Sequence, residues 1–137
     1  MNTILHFSSS MYISNAREVH WTLSSSIDWY VEQAWVLALD SQLKVVEFNL
    51  TSKGTVNYCQ IHPRDIFRFV ISRNASSFIL AHNHPSGNAL PSVQDIQFTK
   101  RILKLSQLHE IPLLDHVILT KTGATSMRAL KNIKNWT

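Results

Sequence analysis

The chain has 137 residues, of which 45% are hydrophobic and 16% are charged, values that favour one globular domain and exclude an intrinsically disordered chain. Its single cysteine, Cys59, excludes an internal disulfide and a zinc site made of several thiolates, and is typical of the reducing cytoplasm. The sequence has no apolar run of about twenty residues and no N-terminal signal-peptide pattern. We therefore expect a cytoplasmic protein that has no membrane partner.

The net charge is +4, from 13 Lys and Arg residues against 9 Asp and Glu residues. All of this excess lies after residue 99, where seven Lys and Arg residues accompany two acidic residues, Glu110 and Asp115. A basic surface of this kind can bind nucleic-acid phosphates, although a solvated face is the more common explanation. Because no helix-turn-helix, zinc-finger or RNA-binding signature accompanies it, a nucleic-acid partner is only a weak prediction.

In the first half of the chain, residues 1–30 have weak sequence patterns, and the residues after them predict strands. Residues 1–30 are expected to form an N-terminal extension, and the segment 26–32 predicts a short helix. The continuous apolar run 34–39 predicts a strand that is buried on both faces. Short turns separate it from predicted strands at 44–50 and 55–61, which together favour an antiparallel meander.

Helices alternate with strands in the second half. A proline at a first-turn position and apolar residues at helical spacing predict a helix over 63–74. The apolar segment 77–81 predicts a buried strand, a long helix follows over about 92–108, and strands are predicted at 116–120 and 124–127. A run of strands with inserted helices predicts an α/β or α+β layered domain.

The residues that follow the strand at 77–81 carry the candidate chemistry. Alternate side chains of an extended segment share a face, so His82 and His84 should point the same way, and Pro85 keeps His84 out of the α region. The next helix opens at Ser92, and its first turn carries Asp95. Two imidazoles and a carboxylate, with one position open for water, are typical of a zinc hydrolase site.

Each part of this pattern also has a purely structural explanation. A histidine at the end of a strand is more often hydrogen-bonded than metal-bound, and Ser92-x-x-Asp95 is also the pattern of a capping box. His82-x-His84, the seven residues that follow it and Ser92-x-x-Asp95 occur together and in register, so the residues alone support a metal site about as well as the structural explanation.

A zinc hydrolase also needs a group that accepts a proton from the activated water. Glu32 stands just before the apolar run 34–39, where the end of the sheet can face the metal. The remaining carboxylates outside the loop lie within a strand, at the start of a helix or beyond the long helix; among them are Glu47, Asp65, Glu110 and Asp115. Position favours Glu32 as the base.

With these residues in place, the sequence resembles the JAB/MPN metalloproteases that carry the JAMM motif, and most closely their bacterial RadC-type branch. The motif consists of a glutamate, then His-x-His, seven residues, Ser, two residues and Asp. Its positions are occupied here by Glu32, His82, His84, Ser92 and Asp95. Further matches to the RadC branch are Gly54-Thr55, His62-Pro63-Arg64-Asp65, the segment from Ala81 to Gly87, Pro91-Ser92 and Leu113-Leu114-Asp115-His116.

The resemblance implies a JAB/MPN-like fold in a single domain, an α/β (α+β) architecture with a mixed, largely antiparallel sheet flanked by helices. The expected RadC-like domain spans 31–130, between the extension at 1–30 and a C-terminal tail at 131–137. RadC-type proteins commonly carry an N-terminal helix-hairpin-helix region, for which this chain is expected to have no room. The family's historical DNA-repair label is therefore only weakly supported.

The resemblance also implies roles for the site residues. His82, His84 and Asp95 would bind Zn²⁺, Glu32 would be the general acid and base, and Ser92 would stabilise the activated water or the oxyanion. Eukaryotic relatives cleave isopeptide bonds to ubiquitin-like proteins, so the implied substrate is a peptide or a protein. Two neighbouring polar residues are candidates for hydrogen bonds to the ligands, although a structural bond is the simpler expectation for both; they are Asn83 and His116.

The leading hypothesis is a zinc-dependent peptidase or isopeptidase. A metal-dependent nuclease is the alternative, favoured by the His-Asn-His sequence and the basic C-terminal third, although such nucleases usually place their histidines on separate elements. A third alternative is a binding module that retains the fold without catalysis. A zinc nucleobase deaminase is disfavoured because the chain has no Pro-Cys-x-x-Cys segment.

Overall fold

A five-stranded sheet organises the chain. A computed structural model describes residues 12–54 and 61–136, and within them the predicted α/β architecture is confirmed. The elements are α1 (Ala16–Leu23), β1 (Gln33–Leu39), β2 (Val45–Lys53), α2 (Pro63–Ser72), β3 (Ser77–Asn83), α3 (Val93–His109), β4 (Leu113–Thr120), β5 (Gly123–Ser126) and α4 (Met127–Leu130). The strand predicted at 55–61 falls mainly on residues 55–60, which lie outside the described ranges.

The strands lie in the order β2-β1-β3-β4-β5. β1 is antiparallel to β2 on one side and to β3 on the other, and β4 is antiparallel to β5. β3 and β4 are parallel, and the connection between them contains α3, because a parallel pair needs a long crossover. The sheet is therefore mixed and largely antiparallel, as predicted.

Apolar clusters cover both faces of the sheet. Every residue of β1 is buried, and its side chains alternate between the faces: Val36 and Ala38 belong to one cluster, and Leu37 and Leu39 to the other. The first cluster includes buried side chains of α2 and α3, and the second includes those of α1. The prediction that this strand is buried on both faces is confirmed.

The short helix predicted over 26–32 is wrong. That segment forms turns, and the helix lies earlier, at α1. The Asp28 carboxylate accepts a hydrogen bond from the Tyr30 backbone N–H at 3.0 Å, which offers the chain a local turn that competes with helix formation. Helix α1 is instead capped by Asn15 and buries Val19 and Leu23. The domain boundary placed at residue 31 stays a prediction.

Within the described residues, no helix combines the length and apolar character needed to cross a bilayer. The ends of α3 have clear local causes. Ser92 caps its N-terminus, and Glu110 adopts the left-handed conformation at its C-terminus with φ of 56°, a common way to stop a helix. The start of α3 is thereby held next to the end of β3, where the candidate site lies.

Candidate metal centre

The end of β3 brings two imidazoles to one side of the sheet. His82 lies between Ala34 of β1 and Ile118 of β4 in the strand register, and it is 1% exposed. The backbone N–H of His84 donates to the Leu119 carbonyl at 2.9 Å, so the chain stays extended one residue beyond the strand. The expectation that both side chains share a face is confirmed, since their Nε2 atoms lie 2.8 Å apart.

The first turn of α3 supplies a carboxylate to the same place. The Ser92 hydroxyl accepts from the Asp95 backbone N–H at 3.0 Å, and Asp95 Oδ2 accepts from the Ser92 backbone N–H at 2.7 Å. This capping box confirms the structural explanation of the Ser-x-x-Asp pattern. It does not exclude the metal site, because the buried Asp95 carboxylate also reaches both imidazoles.

The donor atoms of these three side chains are spaced as a small metal ion requires. His82 Nε2 lies 3.2 Å from Asp95 Oδ1, and His84 Nε2 lies 3.5 Å from Asp95 Oδ2. Neighbouring donors of a tetrahedral zinc site with bonds of about 2.0–2.1 Å are about 3.3 Å apart. The two imidazoles and the carboxylate therefore fit a zinc-sized ion, and these three residues can hold a metal.

The hydrogen bond with Asp95 has the largest effect on the pKa of His84. The hydrogen bond with the Asp95 carboxylate raises the pKa of His84 above its ordinary value, while burial acts in the opposite direction. Its Nδ1 lies 2.7 Å from the Asn88 carbonyl oxygen, which can only accept, so Nδ1 carries a proton and Nε2 faces the other two donors. Protons therefore compete with a metal ion for His84 Nε2.

Glu32 lies where the sequence places it, directly before β1. It lines a cavity of about 550 Å³ together with His84, Tyr30 and Pro85. Its charge also contributes to the raised pKa of His84, which indicates that the carboxylate lies close to the candidate ligands. The structure thus brings Glu32 to the mouth of the metal centre, and its role as a base stays a prediction.

Ser92 lies at the other border of the centre, beside Asp95. Its side chain is exposed, and its hydroxyl oxygen accepts a bond from the backbone of α3. An accepting hydroxyl keeps its own hydrogen for a further bond. Ser92 is therefore able to donate to a group that enters the site.

Asn83, the residue between the two histidines, connects the metal centre to the segment that carries Glu32. It is fully buried. Its Oδ1 accepts from the Gln33 backbone N–H at 2.7 Å, and its Nδ2 donates to the Val31 carbonyl at 2.9 Å. The expected structural bond is confirmed, but its partners flank Glu32, some fifty residues earlier. Sequence spacing carries no signal for this contact.

We expect Asn83→Ala to destabilise the protein by about 1–3 kcal/mol, because it leaves the buried Gln33 N–H and the Val31 carbonyl without this partner. Urea unfolding of the metal-free protein measures the change. The matched control is Asn49→Ala, at an exposed position of β2. Equal stability of the two variants would contradict the assigned role.

A match to a known sequence family identifies the fold family of this chain. A sequence model described as the RadC-like JAB domain matches residues 13–133. The chain belongs to the RadC-like JAB domain family. The matched range contains all five predicted site residues of this RadC-like JAB domain, which are Glu32, His82, His84, Ser92 and Asp95.

Curated relatives support the assignment. A UPF0758 protein of Finegoldia magna is 44% identical over 98 residues, which cover 72% of this chain and 44% of the relative. A UPF0758 protein of Pelodictyon phaeoclathratiforme is 37% identical over 131 residues, which cover 93% of this chain and 59% of the relative. This RadC-like JAB domain thus spans about half the length of the curated relatives it matches.

Proposed function

We propose that this chain is a zinc-dependent hydrolase that cleaves peptide or isopeptide bonds. The observation that supports it is the convergence of His82, His84 and Asp95, with His84 lining the same open cavity as Glu32. Its family and the spacing of its donor atoms support a metal centre.

The donor set favours zinc. Two imidazole nitrogens and one carboxylate are typical catalytic zinc ligands, whereas Mg²⁺ and Ca²⁺ prefer oxygen donors. When bound, zinc supplies Lewis acidity, which brings the pKa of a water ligand to about 7 and polarises a substrate carbonyl. His82, His84 and Asp95 would hold it.

The surrounding side chains complete the proposed chemistry. Glu32 accepts the proton of the attacking water and returns it to the leaving amine, the usual task of a carboxylate general base. Ser92 donates its free hydroxyl hydrogen to the oxygen that becomes negatively charged during attack on the carbonyl. Removing one such donor costs about 3 kcal/mol of transition-state stabilisation in comparable sites.

A screen with two substrate classes tests the proposal. We expect the zinc-loaded protein to cleave members of a peptide library or a ubiquitin-like isopeptide conjugate, and to leave DNA intact. The protein stripped with a chelator should be inactive, and zinc should restore its activity. Cleavage confined to DNA would support the nuclease alternative and overturn the peptidase. Failure of the reloaded protein to cleave any of these substrates would leave the binding module as the better account.

A further inference from the structure

Beneath the metal centre, two buried side chains, His116 and Thr99, form a hydrogen-bonded relay between two proposed ligands, His82 and Asp95. His82 Nδ1 lies 2.9 Å from His116 Nε2, and His116 Nδ1 lies 2.5 Å from Thr99 Oγ1. Thr99 Oγ1 lies 2.6 Å from the backbone carbonyl oxygen of Asp95. His116 and Thr99 are 2% and 0% exposed, so water has no ready access to these bonds.

The hydrogen bonds of this relay have only one consistent set of donors and acceptors. The carbonyl oxygen of Asp95 has no hydrogen and can only accept, so Thr99 donates its single hydroxyl hydrogen to it. A hydroxyl that donates its hydrogen to one partner can only accept a hydrogen bond from the other partner. His116 therefore carries its ring hydrogen on Nδ1 and donates it to Thr99.

The same reasoning determines which ring nitrogen of His82 carries the proton. His116 is 2% exposed, and burial disfavours a charged ring, so His116 is a neutral imidazole with one ring hydrogen. His116 Nε2 is therefore a lone-pair acceptor, and the contact of 2.9 Å requires His82 Nδ1 to donate. The Nε2 atom of His82, which carries the lone pair in this tautomer, then faces His84 and Asp95, at 2.8 and 3.2 Å.

We propose that His116 and Thr99 are positioning residues that hold His82 in the tautomer whose Nε2 carries the lone pair that binds the metal. Neither belongs to the predicted ligand set, and Thr99 has no place in the sequence motif. The Asp95 backbone anchors this relay while its side chain serves as a proposed ligand, so one residue sets the orientation of two ligands. This inference rests on the metal-binding part of the proposed function.

His84 and His82 both carry a proton on Nδ1, but different groups hold them in this tautomer. His84 donates from Nδ1 directly to the Asn88 carbonyl in the exposed turn. His82 has side-chain partners on two other elements, α3 and β4. A ligand histidine is commonly oriented through its second nitrogen, and loss of that partner weakens metal binding by about 10- to 100-fold. The buried relay is thus the part of the centre that a substitution can alter without removing a ligand.

The first test reads the tautomer of His82 in the metal-free protein by long-range ¹H–¹⁵N NMR, with its signals assigned by comparison with His82→Gln. We expect one tautomer in the wild type, with the proton on Nδ1. Thr99→Val removes the acceptor that sets the direction, so both tautomers should appear, and Thr99→Ser should restore the single one. A wild-type proton on Nε2, or a single unchanged tautomer in Thr99→Val, would overturn the relay.

The second test measures zinc affinity by competition with a chromophoric chelator. His116→Gln keeps an acceptor for His82 and a donor for Thr99, so its affinity should stay close to that of the wild type. His116→Leu has a similar volume but no acceptor, and should bind zinc about 10- to 100-fold more weakly. Equal affinity of the two variants would mean that His116 only fills space and would overturn its role.

The tests separate the two proposals. If the wild type binds no zinc, the proposed function fails, whereas the NMR comparison of Thr99→Val with Thr99→Ser still decides the relay. If zinc binds but His82 shows the opposite tautomer, the relay fails and the metal centre stands. Should His116→Leu not fold, the Thr99 pair decides alone, because valine is close to threonine in shape.

Discussion

The double variant His82→Ala/His84→Ala is expected to bind no zinc under conditions in which the wild type binds one ion per chain. The substitutions remove both nitrogen donors and leave the Asp95 carboxylate, a single donor that also accepts a bond from the Ser92 backbone. Zinc at about 1,000 times its Kd stabilises a native state by about 4.1 kcal/mol. The wild type should show such a gain, and the variant none.

Elemental analysis after dialysis measures the bound metal, and thermal unfolding with and without zinc measures the stabilisation. His109→Ala is the matched control, since this exposed histidine lies at the C-terminal end of α3, where it contacts the Leu105 carbonyl at 2.9 Å and stacks on the Phe67 ring. It should bind zinc as the wild type does. Equal zinc content in the wild type and the double variant would rule out the proposed ligands.

The variant Glu32→Gln is expected to keep its zinc and to lose hydrolysis by about 10²- to 10⁴-fold, the usual contribution of a general base. Glutamine has nearly the same size and still accepts hydrogen bonds, but it cannot take a proton from the attacking water. The three metal donors are unchanged by the substitution. The expected signature is therefore a fall in kcat/KM at constant metal content.

Glu47→Gln is the control for this substitution. Glu47 lies in β2 and bonds to Arg73 through both carboxylate oxygens, at 2.6 and 3.0 Å, and the guanidinium lowers its pKa. We expect this variant to hydrolyse the substrate at the wild-type rate. Full activity of Glu32→Gln on a cleavable substrate would show that the base is another group.

The sequence proved most informative where the chemistry is local. His82 and His84 share a face because the backbone between them is extended, and Ser92 and Asp95 form a capping box because they are one helical turn apart. Apolar periodicity located β1, β3 and α3 to within a few residues of their observed bounds. Such patterns depend on covalent spacing, which a sequence displays directly.

Sequence patterns predicted less where the relevant partners are distant in the chain. The helix at α1 was missed because its apolar face is short, and a turn around Asp28 occupies the segment predicted as helical. Asn83 holds the segment around Glu32 through hydrogen bonds to residues about fifty positions earlier in the chain. No local pattern indicates which backbone groups a buried amide will meet.

The sequence by itself therefore determined which side chains supply nitrogen and oxygen donors and the spacing at which they follow one another. Only the tertiary structure decided that the donors converge, because the crossover through α3 returns the chain to pair β4 in parallel beside β3. That pairing also places His116 beneath His82, thirty-four residues earlier. Strand register and helix packing depend on how apolar surface is buried over the whole domain. No single sequence motif therefore predicts them.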